Sequence, residues 1–262
     1  MTDTSRQSPH PNVGTELFGL RDERTEVPAG LGAAICAIEV YRTGDRRPRS
    51  IGTGWLASPT LVVTAAHVIH DDQSAGSERS GVDPLDPGGV AARVVLSFDR
   101  AGGTTVLREA STDDIHVHHA YRLVVAGGVD EDRDLALIRL RKPLERSIEP
   151  LRFGATTDAA LAKRSVRIAG VKLDEERDEP ILVEHRGPIV EVGARYLLCR
   201  VQADKAQSGA PVSLMHEDGE QLVVALHARG LRGTADEVTA GNFAVRIDEE
   251  AEQWIRSHTA RR

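Results

Sequence analysis

At 262 residues the chain is long enough for one large domain or two small ones, and for a sizeable core. Its 33 basic and 40 acidic residues leave a net charge of -7, which disfavours nucleic acid and anionic membrane, since both call for a basic surface. Aromatic residues are 3% of the chain, too few for base-stacking platforms, while 40% apolar and 28% charged residues are ordinary for a soluble protein.

Residues 1–28 are polar, carry Pro9, Pro11 and Pro28, and read as a flexible N-terminal arm. The stretch Met1–Val13 lacks the apolar segment of a secretory signal, and no apolar run reaches the roughly 18 residues of a membrane span. A cytoplasmic protein without a membrane partner is therefore the expectation. Short β-rich runs then follow: Ala33–Tyr41, Ile51–Leu56, Thr60–Thr64, Val90–Phe98, Leu135–Leu140, Ser165–Val171, Ile181–Val192, Tyr196–Val201, Val212–Met215, Leu222–His227 and Asn242–Ile247. Many short strands separated by Gly, Pro and Asp predict an all-β sandwich or barrel. Asp71–Gly89 is Gly/Pro-rich and polar and predicts a long surface loop; Glu175–Glu179 predicts a solvated one. Only the end looks helical, with Asp248 as the cap and Ala251, Trp254 and Ile255 at helical spacing. Cys36 and Cys199 lie in apolar runs and read as buried free thiols.

Three stretches carry chemistry. His67 ends Leu61-Val62-Val63-Thr64-Ala65-Ala66-His67, just past an apolar strand. Asp134 opens Asp134-Leu135-Ala136-Leu137-Ile138, and Ser208 sits in Gln207-Ser208-Gly209-Ala210-Pro211. A serine hydroxyl needs a base to become a nucleophile at neutral pH, histidine titrates in the right range, and a carboxylate fixes the imidazole's tautomer. Asp130 and Asp132 compete with Asp134 as the acid, but the apolar run directly after Asp134 favours it. His116, His118 and His119, with Asp113 and Asp114 nearby, lack the spacing of a metal set and read as strand-end side chains.

Gly52-Thr53-Gly54-Trp55-Leu56 followed by the His67 stretch resembles the first half of the trypsin/chymotrypsin-like serine proteases. Val117-His118-His119-Ala120-Tyr121 is similar to the segment that precedes the acid in that family, and Asp134-Leu135-Ala136-Leu137 to the acid segment itself. Ser208-Gly209-Ala210-Pro211-Val212 resembles the nucleophile loop of its bacterial members, with Leu222–Gly230 and Asn242–Ile247 as the strands that follow. The likeness spans about residues 30–258. It implies a chymotrypsin-like fold of two six-stranded antiparallel β-barrels, a first over 29–148 with His67 and Asp134, and a second with Ser208 and the C-terminal helix over 149–262. It further implies an oxyanion hole from the N–H groups of Ala206 and Ser208, and a substrate bound as an added strand beside Ala228, Arg229 and Gly230.

Two departures stand out. Ala206 occupies a position where the family usually has glycine, and a left-handed conformation there costs roughly 1–2 kcal/mol. A loop that relaxes instead and loses one hole donor forfeits about 10²–10³ in rate. Ala206 is thus compatible with a hole completed only when substrate or a partner arrives. Gln207 replaces the family's frequent Asp, so activation through a cleaved N-terminus is not expected. By the same resemblance Gln202 falls at the specificity position, which disfavours an Arg/Lys preference, and His227 falls where glutamyl endopeptidases have a pocket histidine. With Arg229 and Lys205 nearby, an acidic residue on the acyl side of the cut is one expectation; small or polar residues are the other.

The sequence therefore points to a serine endopeptidase acting on protein or peptide through His67, Asp134 and Ser208, without cofactor or metal. Beside it stand a protease-like domain that binds peptides or proteins with little turnover, and a protease switched by a regulatory protein partner.

Overall fold

The computed structural model describes residues 29–70, 91–99, 105–121, 123–124, 128–129, 133–174, 179–215, 220–230 and 241–259. The expected arm at 1–28, the loop at 71–89 and most of that at 175–179 lie outside them. The first half runs α1 (Ala29–Ala33), β1 (Ile35–Tyr41), β2 (Ser50–Ser58), β3 (Leu61–Thr64), α2 (Ala66–Ile69), β4 (Arg93–Asp99), β5 (Thr105–Ser111), β6 (Ile115–Val117), β7 (Leu123–Val124), β8 (Gly128–Val129) and β9 (Ala136–Arg139). The second runs α3 (Asp158–Leu161), β10 (Ser165–Asp174), β11 (Glu179–Val192), β12 (Tyr196–Cys199), β13 (Pro211–Met215), β14 (Gln221–Gly230), β15 (Asn242–Arg246) and α4 (Glu249–Thr259).

The fold is the all-β chymotrypsin-like architecture that the resemblance implied. Strands β10-β11-β12-β15-β14-β13 close a six-stranded barrel, and a seven-stranded antiparallel sheet β5-β4-β1-β2-β3-β9-β6 forms the first half. That sheet has seven strands rather than six, β7 and β8 pair separately, and the ladder is open between β5 and β6 among the described residues. The 3₁₀ turn Thr112–Asp114 separates those two strands, and β6 pairs with β9 instead. Strand β5 escaped the sequence reading because it is an exposed edge whose Arg108 and Glu109 interrupt any apolar run. Helices α1, α2 and α3 were also not expected from sequence. Each is about one turn, and α2 forms despite β-branched Val68 and Ile69 because both side chains are buried in the core.

Burial follows the pleat. Strand β4 alternates, with Val94, Leu96 and Phe98 inward. One core cluster gathers the first-half strands with Phe153, Val223 and the α4 residues Ala251 and Ile255; a second fills the closed barrel around Ile168, Leu197 and Val212. Cys36 and Cys199 belong to different clusters and are both free, as expected. Among the described residues no helix is long and apolar enough to cross a membrane.

Helix α4 is capped as its sequence predicts, Asp248 Oδ1 accepting from the Ala251 N–H at 2.8 Å. It docks against the segment that leads into Asp134. The buried Arg133 guanidinium pairs with Asp248 at 3.2 Å and with Glu250. The His118 ring meets Trp254 edge-on at 4.8 Å between centroids and stacks on His119 at 4.4 Å. The His118 backbone N–H donates to the Leu135 carbonyl at 2.9 Å.

Burial, reinforced by the charges of His119 and Arg133, pushes His118 down from its ordinary 6.5 to about 4. The folded protein therefore keeps this ring neutral where the unfolded chain would protonate it. Stability is complete above pH 6.5 and falls as the pH drops from 6.5 towards 4. Denaturant midpoints measured across that window should fall more steeply for the wild type than for His118→Phe, which keeps the ring contact and removes the titration. Equal slopes would refute the assignment.

Candidate active site

The segment Leu61-Val62-Val63-Thr64 is fully buried as β3, and the chain turns at once into α2, which carries His67. Strand β9 pairs with β3, placing Ala136 opposite Thr64. Asp134, two residues before β9, thereby arrives beside His67. Its Oδ2 lies 2.5 Å from His67 Nδ1, and its Oδ1 accepts the His67 backbone N–H at 2.9 Å. The Asp134 side chain is 3% exposed and that of His67 29%, so the acid is sealed from water while the imidazole reaches it. Asp130 and Asp132 lie outside the described residues.

Ser208 comes from the other half. Its carbonyl accepts the Thr53 N–H at 2.8 Å. Gly52, which precedes Thr53, is wedged so tightly that a Cβ there would stand 2.6 Å from Val68 Cγ1 and 3.2 Å from the Ser208 carbonyl oxygen. Val68 is the neighbour of His67, so this packing sets the Ser208 loop against the turn that holds the histidine. Gly209 is held at φ +88°, and a Cβ on it would collide with the Thr53 carbonyl oxygen and Thr64 Oγ1. The Ser208 hydroxyl donates to the Ala228 carbonyl at 3.1 Å.

Ala206 adopts the strained alternative foreseen from sequence, with φ +73°. Its carbonyl accepts from Thr53 Oγ1 at 2.8 Å, and the same hydroxyl accepts the Val171 N–H at 2.9 Å. Among the described residues neither the Ala206 nor the Ser208 N–H has a backbone acceptor. Gln207, fully buried, closes the loop from within: Asp204 N–H donates to its Oε1 at 2.9 Å.

Of the expected pocket residues, Gln202 is half-buried, Lys205, Arg229 and Gly230 are exposed, and Ala228 is buried. His227 is 3% exposed, with Nδ1 3.2 Å from the Gln207 carbonyl and Nε2 3.1 Å from Asn242 Oδ1. Both facing atoms are acceptors, and Asn242 is oriented by donating its Nδ2 to the Val201 carbonyl. Burial pushes the His227 imidazolium down, against the pull of those two contacts. Thr53, Asn242 and Asp204 were missed as site residues. Thr53 lies inside the Gly52–Leu56 segment, but its hydroxyl contacts span 153 and 118 positions and nothing in the local pattern announces them.

His118, His119 and Glu250 bring ligand-type atoms within 4.8 Å of one another. Arg133 holds the Glu250 carboxylate and the Ala120 N–H donates to His118 Nδ1, so the carboxylate and one of the two His118 ring nitrogens are engaged by protein groups.

The family model described as a trypsin-like peptidase domain matches residues 52–226. The chain belongs to this family. No curated protein sequence matches it. Among solved structures, a Glu endopeptidase in complex with MPD is similar at TM-score 0.66 and 16% identity, covering 94% of this chain and 100% of its own. HL collagenase is similar at TM-score 0.66 and 16% identity, over 92% of this chain and 99% of its own. Both are chymotrypsin-like serine proteases, and at this identity the likeness is one of fold.

The seating of the Ser208 loop of this trypsin-like domain predicts that Gly209→Ala is severe. A Cβ in contact with backbone and a left-handed alanine together cost about 3 kcal/mol or more. An unchanged urea unfolding midpoint would contradict the packing described.

Proposed function

We propose that the chain is a serine endopeptidase in which Ser208 attacks the scissile carbonyl, His67 carries the proton and Asp134 orients the imidazole. The observation that supports this best is the double hold of the buried Asp134 carboxylate on His67, at ring Nδ1 and backbone N–H. Donating Nδ1–H to Asp134 places the ring's lone pair on Nε2, the nitrogen a general base needs. In the proposed cycle Ser208 Oγ bonds to the carbonyl carbon and its proton passes to His67 Nε2. The tetrahedral oxyanion is met by the N–H groups of Ala206 and Ser208. The C–N bond breaks as His67 returns the proton to the leaving amine. Water then attacks the acyl-enzyme, giving its proton to His67, and Ser208 is regenerated as the acid product leaves.

The substrate is proposed to lie as a strand along Ala228–Gly230, beyond the point where β13 stops pairing with β14 at Leu226. Within this reading we propose the acidic preference as the finer part. Arg229 is exposed at the end of that strand, and a similar structure is that of a Glu endopeptidase. His227 takes part only if a substrate carboxylate displaces Asn242 Oδ1 from Nε2, because burial and two acceptors already occupy the ring.

One observation favours a second reading, a domain that binds peptide or protein and turns over slowly until engaged. The Ser208 hydroxyl is spent on the Ala228 carbonyl. A substrate strand whose N–H claims that carbonyl would release the hydroxyl towards His67, so the resting contact and an active enzyme are compatible.

A fluorophosphonate probe should label the folded wild type and not Ser208→Ala, and Asp134→Asn should lower the labelling rate by up to about 10⁴-fold. A folded wild type that is never labelled would leave the binding module as the better reading. For specificity, paired peptides differing only in Glu or Ala before the scissile bond should favour Glu; equal cleavage would sink the acidic preference.

A further inference from the structure

The nucleophile loop has an anchor that the triad does not use. Asp204, two residues before Ala206, places its Oδ2 3.2 Å from His185 Nε2, and its Oδ1 lies 3.6 Å from Lys172 Nζ. His185 is 3% exposed and sits in the interior of β11, while Lys172 is in β10, next to Val171, whose N–H donates to Thr53 Oγ1. Between Asp204 and Gln207 the loop is closed twice, by the Asp204 N–H on Gln207 Oε1 at 2.9 Å and the Gln207 N–H on the Asp204 carbonyl at 3.4 Å. Ala206, at φ +73°, is the second of the two residues inside this closed turn.

An alanine does not stay left-handed unless its surroundings prevent relaxation. Two contacts oppose relaxation of Ala206. Thr53 Oγ1 fixes the Ala206 carbonyl from the first half. The carboxylate of Asp204, gripped by His185 and Lys172, fixes the start of the turn to the barrel wall. Releasing Asp204 removes the hold on the N-terminal side of Ala206, and rotation of the Ala206 φ to ordinary values reorients its N–H.

We propose that Asp204, held by His185 and Lys172, is a positioning residue that keeps Ala206 left-handed and its N–H in the oxyanion hole. The inference rests on the proposed peptidase chemistry at Ser208. It assigns to an internal ion-pair cluster the task of ordering the loop, and it makes the strain at Ala206 the quantity that the cluster opposes.

The full chain tests this with a fluorophosphonate probe, whose phosphonyl oxygen occupies the hole when Ser208 reacts. Asp204→Ala should lower the limiting inactivation rate by about 10–100-fold, with half-saturation changed by less than about twofold, because one hole donor is worth 10²–10³ when lost outright. Lys172→Met, at a partly exposed position, should show a smaller loss in the same direction and covers the case in which Asp204→Ala does not fold. The readout that separates positioning from general destabilisation is rescue. Ala206→Gly removes the cost of positive φ, so Asp204→Ala with Ala206→Gly should regain most of the lost rate although the anchor is still missing. Labelled wild type with unchanged rates in both Asp204→Ala and Lys172→Met, or a loss that Ala206→Gly does not relieve, overturns the inference. A wild type that is not labelled, with melting intact, overturns instead the reading of Ser208 on which it rests.

Discussion

Thr53 holds the two halves of this molecule together at the one place where their relative position has chemical meaning. Its backbone N–H donates to the Ser208 carbonyl, while its hydroxyl donates to the Ala206 carbonyl and accepts from Val171 N–H. One fully buried side chain thus ties β2 of the open sheet to β10 of the closed barrel and to the loop between them. A buried hydroxyl with both roles satisfied gains strength from its apolar surroundings, and losing either partner would leave a buried polar group unmatched. The close approach of Ser208 to Gly52, and of Gly209 to Thr53 and Thr64, is possible only because neither glycine carries a Cβ.

From that junction the site divides into a sealed part and a reachable part. Asp134 is buried beneath His67 and spends both carboxylate oxygens on it, so the imidazole has one orientation. On the far side Ser208 and Ala206 lie in a loop stretched between β12 and β13, with no regular ladder to fix it. The loop obtains its shape from polar contacts instead: Gln207 closes it from within, and Asp204, His185 and Lys172 tie it to the barrel. Left-handed Ala206 is the cost of that arrangement, borne in a segment where alternatives are blocked on both sides.

Helix α4 extends the same logic to the acid. It belongs to the second half of the chain yet packs Ala251 and Ile255 into the core of the first, and Arg133, adjacent to Asp134, is paired with Asp248 and Glu250 at its start. The Asp134 segment is therefore clamped between β9 and a helix that follows the whole second barrel. Solved structures of 16% identity share the fold over nearly the whole chain.

The strands with continuous or alternating apolar runs, the C-terminal helix with its Asp248 cap, and the order of His67, Asp134 and Ser208 were all legible in the residues, because periodicity and local contexts encode them. The edge strand β5 and the one-turn helices were not: charged side chains mask the first, and tertiary burial overrides local preference in α2. Nor was the choice that Ala206 makes between strain and relaxation, since it depends on a threonine 153 positions away. The same holds for His227, whose ring is plain in the sequence but whose two buried acceptors are brought by the Gln207 loop and strand β15. Residue types in order specify which chemistry is available. The backbone geometry beside Ser208 follows from long-range hydrogen bonds that form only once both halves have folded against each other.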